Sequence, residues 1–193
     1  MKDYRKKVKA IREKIAKDDF DEDKKGRSVI KINVSDEDSI LSKYNDDGQE
    51  IIGADMADFI NNLVKSVPKE KEIVLDVKCN NYTEDKAKRY KNAIVNYYIN
   101  EFADKDAKLK NNLLISIILF TVGVLGFAAL YLLKVIDAYW LIQDIVEVAS
   151  WVFLWETVDV FFLNRGVLKW KQKRDLKIIF AEIKIEGLRS KTK

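Results

Sequence analysis

Apolar residues recur along this chain at changing periods, and each period points to an element. At the start, Tyr4, Val8, Ile11 and Ile15 fall on one helical face among lysines and arginines, which predicts a basic amphipathic helix followed by the acidic link "DDFDED". In "SVIKINV" (Ser28–Val34), Ile30, Ile32 and Val34 alternate with Lys31 and Asn33, the period of a half-buried strand. Helical spacing returns in "ADMADFINNLVKSVP", with Met56, Phe59, Ile60, Leu63 and Val67 on one face, and it stops at Pro68, the only proline. "KEIVLDVKC" alternates again through Ile73, Leu75 and Val77. Thr83 then offers an N-cap hydroxyl, Glu84 and Asp85 suit a first turn, and Ala87, Tyr90, Ile94, Tyr97, Tyr98 and Phe102 mark a helix face. The order is β-α-β-α. Two strands make a poor sheet, and "LKIIFAEIKIEG" (Leu176–Gly187) supplies a third, with Ile179, Ala181, Ile183 and Ile185 alternating against Phe180, Glu182 and Lys184.

From Leu113 to Leu133 the chain has no charge at all. At 1.5 Å per residue this stretch is roughly 31 Å long, the thickness of a hydrocarbon core. It predicts a transmembrane helix. No helix stop separates it from Thr83, so one rod is expected to run from the soluble part into the bilayer. Lys134–Ala138 is only long enough for a tight turn, and Tyr131, Tyr139 and Trp140 form an aromatic belt around it. A second span returns from near Tyr139. Lys105, Lys108 and Lys110 flank the pair on one end, Arg165, Lys169, Lys171, Lys173 and Arg174 on the other. The positive-inside rule therefore places both flanks and both termini in the cytoplasm, in an inner (cytoplasmic) membrane, with the turn outside and Trp170 near the inner interface. The same five bases after the second span are the expected contacts to anionic lipid headgroups.

Charge sharpens this division. The net charge is +4, yet between residues 111 and 163 Lys134 stands alone against Asp137, Asp144, Glu147, Glu156 and Asp159. The chain has no histidine and one cysteine, Cys79. A disulfide framework is therefore excluded, a reducing compartment suits the soluble part, and Ser-His-Asp and Cys-His pairs and nearly all ordinary zinc sites are unavailable. No cofactor is expected. In the acidic tip "NDDGQE", a calcium loop turning at Gly48 would need acids where Lys43 and Ala54 stand. The long Ser35–Gly53 segment reads as a short helix capped by Ser35 with an Asp-Gly turn. The opening residues have a basic start with no apolar core behind it, so no signal peptide is expected.

The second span, "DIVEVASWVFLWETVDVFF", carries the candidate polar site: Asp144, Glu147, Trp151, Trp155, Glu156 and Asp159. A mid-membrane acid costs about 2.5–3.5 kcal/mol, while each large apolar residue returns only about 0.3–0.6 kcal/mol. Glu147 is expected deepest. Glu147, Trp151, Trp155 and Asp159 follow at i, i+4 and form a column expected to avoid lipid. The first span offers Ser116, Thr121, Gly123 and Gly126, so Ser116 is a candidate hydrogen-bond partner for Glu156, and the glycines permit close helix contact. The remaining acids are expected to be protonated, hydrated, matched by a cation, or buried against further copies.

Taken together, the sequence reads as an α+β membrane protein. A small β-α-β sheet domain is joined by a long helix to a two-helix transmembrane hairpin, and a C-terminal strand returns to the sheet. The expected divisions are residues 1–26, an amphipathic helix and linker; 27–110, a cytoplasmic α+β domain; 111–163, the hairpin; and 164–193, a basic juxtamembrane helix and closing strand. Through Trp151, Trp155, Glu156, Asp159, Phe161, Phe162 and Arg165, and through "YKNAIVNYY", the chain resembles an uncharacterised family of small bacterial two-helix membrane proteins with a WxxxWExxD-type second span. That resemblance implies topology and no activity. The leading expectation is a non-enzymatic protein coupling a cytoplasmic partner- or signal-binding domain to the hairpin. A homo-oligomeric ion or proton pathway, possible as a membrane-permeabilising effector, is the alternative, and an enzyme acting on lipid headgroups ranks third. Nucleic acid is not an expected partner, because the bases lie beside the membrane without interleaved aromatics.

Overall fold

The computed structural model describes Tyr4, Lys7 and residues 20–34, 40–45, 50–68, 70–80 and 82–187. The expected N-terminal amphipathic helix lies outside these residues apart from Tyr4 and Lys7, and most of the "NDDGQE" tip lies outside them too. The chain divides into two compact units, Met1–Glu101 with Arg174–Lys193, and Phe102–Lys173.

The first unit is α+β. Its elements are β1 (Asp21–Glu22), β2 (Ser28–Val34), α1 (Ala54–Ser66), β3 (Ile73–Cys79), the start of α2 (Glu84–Val135) and β4 (Glu182–Gly187). The sheet order is β1-β2-β3-β4, antiparallel between β1 and β2 and parallel elsewhere. Alternation fixes which way the strands face. Ile30, Ile32, Ile73, Leu75, Val77 and Ile183 point toward the helices and are buried with Met56, Ala57, Ile60, Val64, Tyr90, Ile94 and Tyr98. The opposite face carries polar rows in register, Lys31 with Asp76 and Lys184, then Asn33 with Lys78 and Glu186. Opposite charges on adjacent strands favour that register.

Several expectations change. The acidic link is not wholly irregular: Asp21 and Glu22 pair with Val29 and Ser28, Gly26 takes the left-handed conformation (φ 73°) in the connecting turn, and Phe20 is buried. The described end of the expected Ser35 helix is instead extended, Leu41 bridging Ile52 and Ile40 fully buried. On α1, Phe59 is half exposed, because Ala57 and Val64 occupy the core side and the Tyr98 hydroxyl donates to the Ala57 carbonyl at 3.2 Å. Burial, reinforced by Tyr97 and Asp175, raises the Tyr98 phenol well above its ordinary range. The closing strand begins at Glu182. Leu176–Ile179 instead belong to α4 (Arg165–Ile179), where Asp175 and Ile178, one helical step apart, are both buried.

Ion pairs tie the sheet's edges. Arg27 bonds Asp23 and reaches Glu182 of β4 at 2.7 Å, Lys31 bonds Asp21, Lys71 bonds Glu22, and Arg89 bonds Glu50. Hydrogen bonds from these bases hold the Asp21, Asp23, Glu50 and Glu182 carboxyls below their ordinary range. The folded state therefore binds fewer protons than the unfolded one, and the contribution is complete above the ordinary carboxylate pKa near 4 and is lost as pH falls through the lower folded values. The Tm of the first unit is expected to fall as pH drops below about 4. These pairs are exposed, so the loss should be modest and smaller again in high salt. A Tm against pH series at two salt concentrations checks both trends.

Helix α2 begins as expected, the Thr83 hydroxyl accepting the Lys86 amide at 3.4 Å. It runs unbroken to Val135, and among the described residues it is the one helix long and apolar enough to cross a membrane. It ends two residues later than the charge-free stretch, with Asp137 in the left-handed conformation (φ 51°) and the Ala138 amide donating to the Leu133 carbonyl at 3.0 Å. Helix α3 (Trp140–Val158) follows. The second arm was expected to be a separate span ending near residue 163. It is instead one bent helix, in which α3 passes through a π-helical segment (Asp159–Asn164) into α4. Neither proline nor any other stop interrupts it.

Candidate functional site

In the second unit, α2 and α3 pack along a narrow seam. On α2 the less exposed row opposite α3 is Leu119, Gly123, Gly126, Leu130 and Leu133, with Phe127 beside it, and the row continues back beyond α3 through Ser116, Asn112, Leu109 and Lys105 in alternating steps of three and four. On α3 the less exposed positions are Gln143, Val146, Ser150, Leu154 and Thr157, with Glu147 half buried at the margin of the row. Small residues bring the helices together. A Cβ built on Gly126 would lie 2.2 Å from the Ser150 hydroxyl oxygen and 3.1 Å from its Cβ, and one on Gly123 would lie 2.8 Å from a Leu154 methyl. The Ser150 hydroxyl donates to Val146 at 2.6 Å, which satisfies it inside the contact. The Phe127 and Trp151 rings meet edge to face, centroids 5.7 Å apart.

The seam mixes small and large residues: Ser116, Gly123 and Ser150 are buried beside Leu109 and Leu130, while most outward positions are large and apolar, among them Leu114, Ile117, Leu125, Leu132, Ile145, Val148 and Val152. Beyond Thr157 the less exposed positions are Asp159, Val160 and then Arg165, and from Val160 to Arg165 is a step of five where an α-helix gives four. The wider π turn supplies the extra residue.

The six candidate residues separate into two groups. Glu147 lies beside the seam and faces Lys134, carboxylate to ammonium 4.0 Å. Trp151 follows it, leaning on Phe127. Asp144, Trp155 and Glu156 are exposed on the side of α3 turned away from Ser150 and Leu154, and Asp159, which opens the π-helical segment, is half buried. Trp155 is 75% exposed, and among the described residues Asp144, Glu156 and Asp159 have no basic partner. Ser116 is buried but its hydroxyl donates to Asn112 at 2.7 Å on its own helix, in place of the expected bond to Glu156. The Lys134 partnership escaped the sequence because this lysine was assigned to the turn. Because α2 runs on to Val135, Lys134 lies in its last turn and faces Glu147.

At the other end, Arg165 lies 5.0 Å from the Phe161 ring centroid, and Phe161 meets Phe162 edge to face. Lys169, Lys171 and Lys173 are exposed and Arg174 half buried. The π segment, which Asp159 opens, thus stands between α3 and the basic helix. Nothing in the sequence pattern marks it, since hydrophobic spacing alone does not distinguish a π turn from an α turn. No family model, no curated protein and no solved structure matches the chain.

Proposed function

We propose that this is a non-enzymatic integral membrane protein whose α+β unit binds a cytoplasmic partner or signal and whose paired helices anchor it in the bilayer. The observation that carries the reading is the extensive apolar outer surface of the paired helices, which meet most closely at Gly123, Gly126 and Ser150. In water that arrangement would leave a large apolar surface exposed. In lipid it suits the solvent, and close packing of small residues becomes the means of association. The pairing of β3 with β4 supports a hairpin, because chain segments on either side of the paired helices enter one sheet and must lie on one side of a membrane. The bases from Arg165 to Arg174 make that side the cytoplasm and give contacts for anionic headgroups, each worth about 1 kcal/mol near a charged surface. Lys134 answers part of the cost of Glu147: it reaches the acid from the end of the first span and leaves it paired near the outer interface.

The reading is tested by reconstitution and labelling. The protein is expected to float with vesicles after alkaline carbonate treatment. On a Cys79→Ser background, Asp137→Cys should react with an impermeant maleimide in intact cells, and a cysteine placed at Lys193 should react only after lysis. Release by carbonate would remove the membrane reading, and labelling of the C-terminal cysteine from outside would remove the hairpin.

A second reading, a homo-oligomeric ion or proton pathway, is favoured by one specific observation. Asp144 and Glu156 face away from the first helix, Asp159 follows in the π-helical segment, and the apolar stretch of this chain holds no further base for them. Several copies arranged around these residues would give them water or one another. This reading expects an oligomer in nanodiscs and an ion flux in liposomes that Glu156→Gln with Asp159→Asn lowers at least tenfold. A monomeric mass would remove it.

A further inference from the structure

The sheet has one strand whose outer edge is open. β4 is last in the order, paired only with β3 among the described residues, and neither proline nor a bulge interrupts its six residues. Such an edge is a row of unmatched amides and carbonyls that another extended chain can pair with. Beside it runs a shallow groove with Ile183 and Ile185 as its strand wall and Glu84, Ala87, Lys88 and Lys91 as its helix wall. Ala87 is the small residue in that wall and leaves room over the strand.

The groove is chemically polarised. Tyr82 packs on Gly187, 3.0 Å from where a Cβ would stand, so the start of α2 lies at the Gly187 end of β4. Glu84 therefore stands near that end, and Lys91 lies two turns on, roughly 10 Å along the helix. Lys88 and Lys91 are exposed and form no ion pair among the described residues. A strand added beside β4 would turn alternate side chains under α2. Lys88 and Lys91 line the helix wall above those inward positions, where their ammonium groups meet carboxylates. A second copy of β4 would present Ile183 and Ile185 at those inward positions, which leaves both lysines unmatched.

We propose that β4 and the first turns of α2 form a docking groove for an extended, acidic segment of a partner protein, taken up as a fifth strand. This names the partner-binding surface in the function proposed above and rests on the α+β unit alone.

The test uses full-length protein in phosphatidylcholine nanodiscs and fluorescent eight-residue peptides with blocked ends. Alternating Glu-Val is expected to bind, and alternating Lys-Val at least tenfold more weakly. N-methylation of one alternate set of amides should abolish Glu-Val binding, and methylation of the other set should leave it. Lys88→Glu with Lys91→Glu lies on an exposed helix face and should fold normally, weaken Glu-Val at least tenfold and improve Lys-Val. The proposal is overturned by no Glu-Val binding, by binding indifferent to charge reversal, or by equal binding of both methylated peptides. A β4-dependent dimer that excludes peptide would overturn it in favour of a second copy. None of these results alters flotation of the protein with vesicles, so failure of the groove is distinguishable from failure of the membrane reading.

Discussion

Gly126→Leu is expected to force α2 and α3 apart and to lower the stability of the pair by at least about 1–3 kcal/mol, the usual cost of overpacking. Alanine already conflicts, because its Cβ would sit 2.2 Å from the Ser150 oxygen and 3.1 Å from the Ser150 Cβ. Rotating the hydroxyl would relieve only the first contact and would give up its 2.6 Å bond to Val146. Leucine has no such escape. The compensating change is Ser150→Gly, which removes both opposing atoms, so Gly126→Ala with Ser150→Gly should recover most of the loss that Gly126→Ala causes alone. Stability is read from the midpoint of denaturing-detergent titration, with Trp151 fluorescence against Phe127 reporting the contact. If Gly126→Leu were silent, or if Ser150→Gly gave no recovery, the small-residue contact would not be what holds the helices together. The membrane reading would then rest on the apolar outer surface of the two helices alone.

The strands were legible because alternation leaves little choice when one face must be buried. Ile30, Ile32, Ile73, Leu75, Val77 and Ile183 all point where a period of two puts them. Thr83 and the unbroken run to Leu133 gave the long helix for an equally direct reason, since no residue in between stops one. The failures have physical causes. Ile178 and Ile179 fit a strand as well as a helix, and Asp175, buried one step before Ile178, decides for the helix. Two residues are too short for alternation to reveal β1. Phe59 is large and correctly spaced, yet Ala57, small enough to bring α1 close to Tyr98, takes the core position. The column Glu147–Trp151–Trp155–Asp159 was read from spacing alone, but a helix contact runs beside such a column as readily as along it. Here it runs through Ser150 and Leu154, leaving Glu147 and Trp151 at its margin and Trp155 outside.

Ending the chain after Ala181 is expected to unfold the α+β unit while leaving the proposed membrane anchoring by the paired helices intact. β4 supplies Ile183, 7% exposed, which alone corresponds to roughly 1.5–3 kcal/mol of burial. Its loss also leaves β3, whose Leu75 and Val77 are almost fully buried, with an open edge, and removes the Glu182 partner of Arg27. A domain's whole stability is about 5–15 kcal/mol, so losses at strand, core and edge together consume much of it. Helix α4 is retained in this truncation, and with it buried Ile178, so the effect belongs to the strand. Hydrogen exchange should show lost protection across β3 and β2, and limited proteolysis should cut within α1, while carbonate-resistant flotation persists because α2 and α3 are intact. Ile183→Asp is the single-residue counterpart, placing a carboxylate against Leu75, and should reproduce the loss of protection. Unchanged protection of β3 in the truncated protein would mean that β4 adds nothing to the sheet's stability. It would then also cease to hold the two flanks of the hairpin on one side of the membrane, and topology would rest on the basic flanks alone.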